Sequence, residues 1–140
     1  MSFEESLRNV SLLADASVAG YTGVPGLPGS ANPNGGDLYK LVKITGKHTV
    51  GLCTADTDLC IGVLQNKPQV TGQAATVAIR GISNVIAGVN NLTAGTEVTS
   101  DASGRVVAAT TGDKVAGVVL AGSTAVDEMI PMLIQPGVKA

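Results

Sequence analysis

The sequence predicts a mainly β protein, a compact β-barrel or β-sandwich built from two similar halves and preceded by an extended N-terminal arm. Two observations support this prediction. From Asp37 onward, short runs of Val, Ile, Leu and Thr alternate with Gly, Asn and Asp, which is the pattern of strands joined by turns. Residues 16–36 carry no charge, and nine of these 21 residues are Gly or Pro, which favours extended backbone without a core of its own. We therefore expect an arm over residues 1–36 and a β domain over residues 37–140.

The first residues of the arm permit two local structures. Ser2 and Glu5 have the spacing of a helix capping box, and apolar residues follow at helical intervals, so a short helix over residues 3–14 is one expectation. The segment SLLADASV is also acceptable as a strand, so extended chain is the alternative. In either case a small element precedes a linker.

The linker contains the stretch GYTGVPGLPG, residues 20–29, with Gly at every third position. This period fits neither a dinucleotide-binding loop nor a Walker loop, and no Lys-Ser/Thr pair follows. Collagen-like triplets fit the period, but a triple helix this short has few interchain bonds and needs three chains. We therefore interpret the stretch as a polyproline-like arm that lies on a partner surface.

An internal repeat supports the design of two halves. The segment 37–81 aligns with the segment 92–137. The matched positions are Gly36 with Gly95, Gly46-Lys47 with Gly104-Arg105, Asp58 with Asp113, Gly62-Val63 with Gly117-Val118, and Gly81 with Gly137. Two copies are too few for a solenoid, so we expect the halves to pack on each other. Pro131 lies in the last strand-like run and suggests an edge strand or a bulge.

Composition narrows the class of protein. Charged residues make up 14% of the chain and only three residues are aromatic, so small aliphatic residues, Thr and Gly must build the core. The net charge of −2 and the scattered basic residues argue against a nucleic-acid or anionic-membrane surface. The N-terminal residues include acids and no apolar run, so we expect no signal peptide and synthesis in a cytoplasm.

Few residues have the pattern of a catalytic or metal site. His48 is the single histidine and lies in a turn-like segment. Cys53 and Cys60 could face each other across a hairpin, but the spacing His-x4-Cys-x6-Cys matches no common zinc site. A disulfide is disfavoured in a reducing cytoplasm, so we expect both cysteines to be small buried hydrophobes.

The acidic residues in turns have a structural explanation. Asp56, Asp58 and Asp101 lie where an Asp side chain bonds its own backbone. The stretch TADTD lacks the further oxygen ligands and the Gly of a calcium loop. No Gly-x-Ser-x-Gly elbow is present to expose a nucleophile. We predict no catalytic residue, no metal and no cofactor.

The second repeat, LTAGTEVTSDASGRVVAATTGDKVAGVVLAG, resembles a segment of tailed-phage capsid decoration (cement) proteins of the lambdoid head decoration type. In that family an x-AG-x-x-V-x-x-D-x-x-G turn leads through a GD-x-x-x-GV step into an apolar strand. Residues 37–81 resemble a looser copy of the same segment. The N-terminal arm is similar to the family only in its Gly- and Pro-rich character.

The resemblance implies a non-enzymatic virion protein, made in the host cytoplasm, that binds the outer surface of an assembled phage head. Its partner would be the major capsid protein, whose neighbouring subunits it would clamp, and it would commonly form a homotrimer. It would bind neither nucleic acid nor membrane. The candidate capsid-binding residues are the apolar side chains of the arm, Phe3, Leu7, Val10 and Tyr21.

Two other classes of protein are alternatives. One is a ligand- or carbohydrate-binding β module on a virion surface, and the other is a small hydrolase or metal enzyme. The absence of Trp and the low number of Tyr weigh against the first, because sugar-binding platforms usually use aromatic faces. The single histidine weighs against the second.

Overall fold

Ten β-strands form two sheets in the computed structural model, which describes residues 7–18, 38–68 and 70–140. The strands are β1 (Arg8–Ala14), β2 (Leu41–Gly46), β3 (Thr49–Leu52), β4 (Gly62–Leu64), β5 (Ala74–Arg80), β6 (Ile82–Ile86), β7 (Glu97–Ser100), β8 (Val106–Ala108), β9 (Lys114–Val119) and β10 (Met129–Val138). No helix occurs in the described ranges. The mainly β class predicted from the sequence is confirmed.

The two sheets share one scheme of strand pairing. The first closes into a barrel in the order β1-β3-β2-β4-β5, and the second has the order β6-β10-β9-β7-β8. In each, the second strand pairs with the third and fourth, and the fifth pairs with the fourth and first. The parallel pairing of β1 with β3 also has a counterpart, a single bridge between Ala87 and Val106. Strands β1–β5 therefore correspond in chain order to β6–β10.

Ladder registers confirm two of the positions matched from the sequence. Val42 pairs with Gly62, and Val98 pairs with Gly117 in the same way. A Cβ at either glycine would press on the backbone carbonyl of Ala78 or Leu133 in the next strand. The close approach of β4 to β5, and of β9 to β10, therefore requires glycine at these two positions.

The Asp58 and Asp113 match is also confirmed. Each carboxylate accepts hydrogen bonds from the backbone N–H and the hydroxyl of a threonine, Thr54 in the first half and Thr110 in the second. A turn held by a Thr and an Asp therefore precedes both β4 and β9, with four residues from Thr to Asp in the first half and three in the second.

Two further matches from the sequence were wrong. Ladder and turn hydrogen bonds instead match Gly95 with Tyr39 and Gly104 with His48. The match of Gly81 with Gly137 stays a prediction, because the register of β10 shifts between Ile134 and Gly137. Tyr39 and His48 have φ angles of 64° and 55°, in the left-handed region that normally favours glycine. Because these two positions of the first half carry Tyr and His rather than Gly, pairing the glycines of the two halves shifted the sequence alignment of the repeats. Gly36 itself lies outside the described residues.

The extended alternative for the N-terminal segment is confirmed over residues 8–14, and the helix is not found there. Val10, Leu12 and Ala14 alternate with more exposed residues and pack against the barrel core, which is the two-residue period of a strand. Strand β1 pairs antiparallel with β5, so this part of the proposed arm is one of the strands that form the barrel. Residues 19–36 connect β1 to β2 along the chain and lie outside the described residues.

Pro131 does not lie on an edge strand or at a bulge, contrary to the expectation from the sequence. It pairs with Asn84 inside β10, which lies between β6 and β9, and the register shift of β10 is closer to its C-terminus. At the corresponding position of the first half, the N–H of Thr76 bonds the Asn66 side chain rather than a neighbouring strand. Proline is tolerated here because this position needs no ladder donor.

Two clusters of buried side chains form the core. One fills the first barrel with small aliphatic residues, namely Ala14, Val18, Val42, Val50, Leu64, Ala75 and Val77. The other joins the halves, because it combines residues of the second half with five residues of the first, namely Leu41, Cys53, Cys60, Val63 and Ala78. The outer face of the first barrel is therefore packed under the second half.

Replacing Gly62 or Gly117 with Ala should lower the free energy of unfolding by about 1–3 kcal/mol each, because the new methyl group presses on a backbone carbonyl. Urea unfolding followed by far-UV circular dichroism measures the change. Gly46→Ala is the control, since the nearest atom to its added Cβ is the Thr49 Cβ at 3.6 Å. Equal losses in all three variants would contradict the packing argument.

Removing residues 1–14 should lower the melting temperature sharply, because β1 closes the first barrel and Ala14 is only 1% exposed. Without β1, backbone groups of β3 and β5 lose their partners. Thermal unfolding compares the truncated and full chains. A truncated chain that melts at the original temperature would show that β1 is dispensable for folding.

Candidate interaction surface

The chain that enters β2 joins the two halves through the backbone. The Ile86 N–H donates to the Tyr39 carbonyl at 3.2 Å, and the Leu41 N–H donates to the Gly104 carbonyl at 2.8 Å. Residues 39–41 are thereby held between β6 and the turn before β8. The first half therefore supplies backbone at the junction between β6 and β8, the first and third strands of the second sheet in chain order. We call this junction in each half its seam.

The corresponding seam of the first barrel is closed directly. There the Leu13 N–H donates to the His48 carbonyl at 2.8 Å, with no inserted segment. The two halves therefore share their ladders but differ at this seam.

A second backbone contact joins the halves at the turn before β4. The Asp56 carbonyl accepts a hydrogen bond from the Lys114 N–H at 2.8 Å and one from the Thr99 hydroxyl at 3.4 Å. The position of this turn therefore helps to fix the second half on the first.

The Asp58 carboxylate holds the same turn in shape. It accepts hydrogen bonds from the Thr54 N–H at 2.9 Å and from Lys43 Nζ at 2.7 Å. Burial acts to raise the pKa of Asp58, but the hydrogen bonds from Lys43 and Thr54 outweigh it, so the pKa lies below its usual value. The hydrogen bond with Asp58 in turn raises the pKa of Lys43.

The outer face of the first half is covered, whereas the matching face of the second half is partly open. Leu41, Val63 and Ala78 are fully buried. The residues that the ladders match to them in the second half are only half-buried, and these are Glu97, Val118 and Leu133. Equivalent positions of the repeat thus have different surroundings.

This open face contains a cleft of about 330 Å³. Its lining includes Gly95, Glu97, Val115, Val118, Pro136 and Val138, and we call it the second-half cleft. Strand β10 borders it, and Lys139 pairs with Glu97 at 3.3 Å. The cleft therefore combines two valines from β9 with a charged pair near its edge.

A second cleft, of about 380 Å³, is lined by turns of both halves and includes Asp56, Asp101 and Asp113. The Asp101 carboxylate accepts hydrogen bonds from the N–H groups of Ser103 and Arg105, as the turn interpretation predicted. Among the described residues, no group of three His, Cys, Asp or Glu side chains is placed to hold a metal ion. Asp101 and Asp113 stabilise turns through their carboxylates, whereas Asp56 contributes its backbone carbonyl.

The residues considered for catalysis lie where the sequence placed them. His48 is exposed in the turn between β2 and β3. Cys53 and Cys60 are buried and not bridged, as expected. A hydrogen bond with Cys60, together with burial, raises the pKa of the Cys53 thiol well above its usual range. This thiol stays protonated and is a poor nucleophile.

The four candidate capsid-binding residues fall into two groups. Phe3 and Tyr21 lie outside the described residues. Leu7 packs partly buried against the core cluster that joins the halves, and Val10 packs partly buried against the barrel core. Both use part of their apolar surface for folding, and their role in capsid binding stays a prediction.

Sequence reasoning did not identify the second-half cleft. The match of Val63 with Val118 was visible in the sequence and could have directed attention to both faces. Which face is covered depends on how the halves dock, and no local pattern encodes that.

Nothing in the described ranges forms a helix long and apolar enough to cross a membrane.

Comparison with known proteins places the chain by its fold. No protein-family model matches it, and no curated protein sequence matches it. Its architecture is that of an all-β protein with two similar five-stranded halves. Among solved structures, the chain is similar to the head fiber gp8.5 N base of bacteriophage phi29, with a TM-score of 0.55 and 14% sequence identity. The likeness covers 93% of this chain and 95% of that one, so it extends over both halves.

Replacing Asp58 with Asn should lower the free energy of unfolding by about 1 kcal/mol at neutral pH, because the charge-assisted bond from Lys43 is lost. The folded-state pKa is below the unfolded value, so this stabilisation is present above the unfolded pKa and disappears as the pH falls through the folded pKa. Urea unfolding at neutral and strongly acidic pH measures both values.

The control is Asp56→Asn, two residues away, because Asp56 is exposed and its contacts with the second half use its carbonyl. We expect a change within about 0.5 kcal/mol at either pH. A difference between Asp58→Asn and the original chain that persisted unchanged in acid would contradict the role of the ion pair.

Proposed function

We propose that this chain is a structural protein of a phage head, of the decoration or cement type. It binds the outer surface of the assembled shell and clamps neighbouring major capsid subunits. The observation that carries the proposal is the likeness of fold, over nearly the full length of both chains, to the base of a phage head fiber. The resemblance of residues 92–122 to decoration proteins points to the same class from the sequence.

The duplicated architecture suits a clamp. A shell presents many copies of one subunit, and a chain with two similar halves can place similar surfaces on two neighbouring copies. The halves are joined by backbone hydrogen bonds and a common core, so they resist separation. Binding that occurs only on the assembled shell stabilises that state by mass action.

The same proposal includes a homotrimer on the virion surface, synthesis in the host cytoplasm, and no enzymatic activity. Three features support the lack of catalysis: an exposed histidine in a turn, acids that bond their own turns, and a buried thiol with a raised pKa. Both clefts lack an aromatic side chain among their lining residues, which weighs against the carbohydrate-binding alternative.

Co-sedimentation with empty heads of the phage that encodes the chain tests the proposal. We expect the protein to pellet with assembled heads in a saturable manner and not to bind dissociated capsid subunits comparably. Decorated heads should withstand heating or low salt better than bare heads. The His48→Ala variant should bind as the original chain does, because no chemistry is involved.

Absence of binding to heads at micromolar protein would contradict the proposed function. Loss of binding in a folded His48→Ala variant whose self-association is unchanged would contradict the purely structural role assigned to the protein.

A further inference from the structure

Each chain already contains one contact in which its second half docks on its first half. The outer face of the first half, with Leu41 and Val63, is covered by a strip of the second half. That strip includes Ile86, Gly104 and Lys114, whose backbone groups bond residues 39–56 of the first half. The contact is head to tail, because it uses a face of one half and a different strip of the other.

Because the fold is duplicated, the chain contains a second copy of the face and a second copy of the strip that form this contact. The face equivalent to the covered one is the second-half cleft. The strip equivalent to Ile86, Gly104 and Lys114 lies on the first half, and its members are Leu13, His48 and Leu59. We call this the first-half strip.

Two of the three members of the first-half strip are large aliphatic side chains that are exposed. Leu13 is 45% exposed and Leu59 is 62% exposed. At the position of Leu59 the second half carries Lys114, whose N–H bonds the first half. Exposed large aliphatic side chains at two of the three positions of one strip fit a contact surface.

We propose that the second-half cleft of one copy receives the first-half strip of a second copy, so that the chains associate head to tail. Leu13 and Leu59 of one copy pack against Val118 and Val138 of the next. A head-to-tail contact uses two different surfaces of each chain and forms a closed ring when the rotation per chain permits. This inference rests on the homotrimer of the proposed function, because it names the two surfaces through which that homotrimer forms.

Two features make the contact between copies differ from the contact within one chain. The seam between Leu13 and His48 is already closed by a backbone hydrogen bond, so no segment is inserted there. The C-terminal part of β10, residues 135–138, lines the cleft. The contact between copies therefore depends on side chains and is weaker than the one within the chain.

Sedimentation velocity of the full chain over a range of concentrations, without heads, tests the inference. The original chain should sediment as a complex larger than its monomer mass of 13.9 kDa. Val118→Glu in the cleft and Leu59→Glu on the strip should each weaken association about tenfold or more, because a carboxylate is placed in an apolar contact.

Mixing the two variants distinguishes a head-to-tail contact from a symmetric one. Val118→Glu retains an intact strip and Leu59→Glu an intact cleft, so the mixture contains one intact pair of surfaces. We expect its average mass to exceed that of either variant alone at the same total concentration. In a symmetric contact between two clefts, Leu59→Glu would have no effect, and that result would overturn the inference.

Val126→Glu is the matched control, because Val126 is 50% exposed and lines neither cleft. It should associate as the original chain does, and an equal loss in this variant would overturn the inference. Thermal unfolding verifies that each variant is folded, and Val138→Glu, at a position 58% exposed, replaces Val118→Glu if the latter fails to fold.

The result for self-association can be distinguished from the result for head binding. A chain that is monomeric at all concentrations overturns the inference and leaves the proposed head binding untouched. If such a monomer loses head binding on Val118→Glu substitution, the cleft is a capsid-binding surface instead. A chain that associates as described but ignores heads supports the inference and contradicts the proposed function.

Discussion

The arrangement of the whole molecule depends on the backbone of residues 39–41, which is bonded to both sides of the seam in the second half. The Leu41 N–H reaches the Gly104 carbonyl while the Tyr39 carbonyl receives the Ile86 N–H. Buried backbone groups are costly to leave unpaired, so these bonds fix where the second half docks. The burial of Leu41 follows from this docking, and so does the partial exposure of its counterpart Glu97.

A duplicated fold becomes asymmetric when its two halves dock through different surfaces, a face of one half and a strip of the other. The ladders of the two halves remain alike, as Gly62 and Gly117 show by meeting a carbonyl of the neighbouring strand in the same way. Their surfaces do not remain alike, because among the described residues one of the two equivalent faces is covered and the other is partly open. Val63 is therefore a core residue, whereas Val118 lines a cleft. The surfaces left open by docking are where a duplicated protein can meet a partner.

The sequence was sufficient where local chemistry decides the structure. The turn acid Asp58 and the tight strand contact at Gly62 were both matched correctly to their counterparts, because a side-chain cap and a missing Cβ leave a clear pattern. It was insufficient where tertiary context decides. Tyr39 and His48 hold left-handed conformations that the sequence suggests only for glycine, and β1 became a strand because β5 offers it a backbone partner. The second-half cleft was not predictable, because no local pattern encodes which face becomes covered.

The interior of the first barrel is packed with small aliphatic side chains. The first barrel is filled by Val, Leu and Ala side chains that are at most 1% exposed, and its strands approach closely at Gly62. A small barrel packed in this way has no room for a ligand in its interior. The described clefts lie outside the barrel, at turns and on the outer face of the second sheet. The core cluster that joins the halves packs side chains of both against one another, and this packing holds the two halves in one orientation.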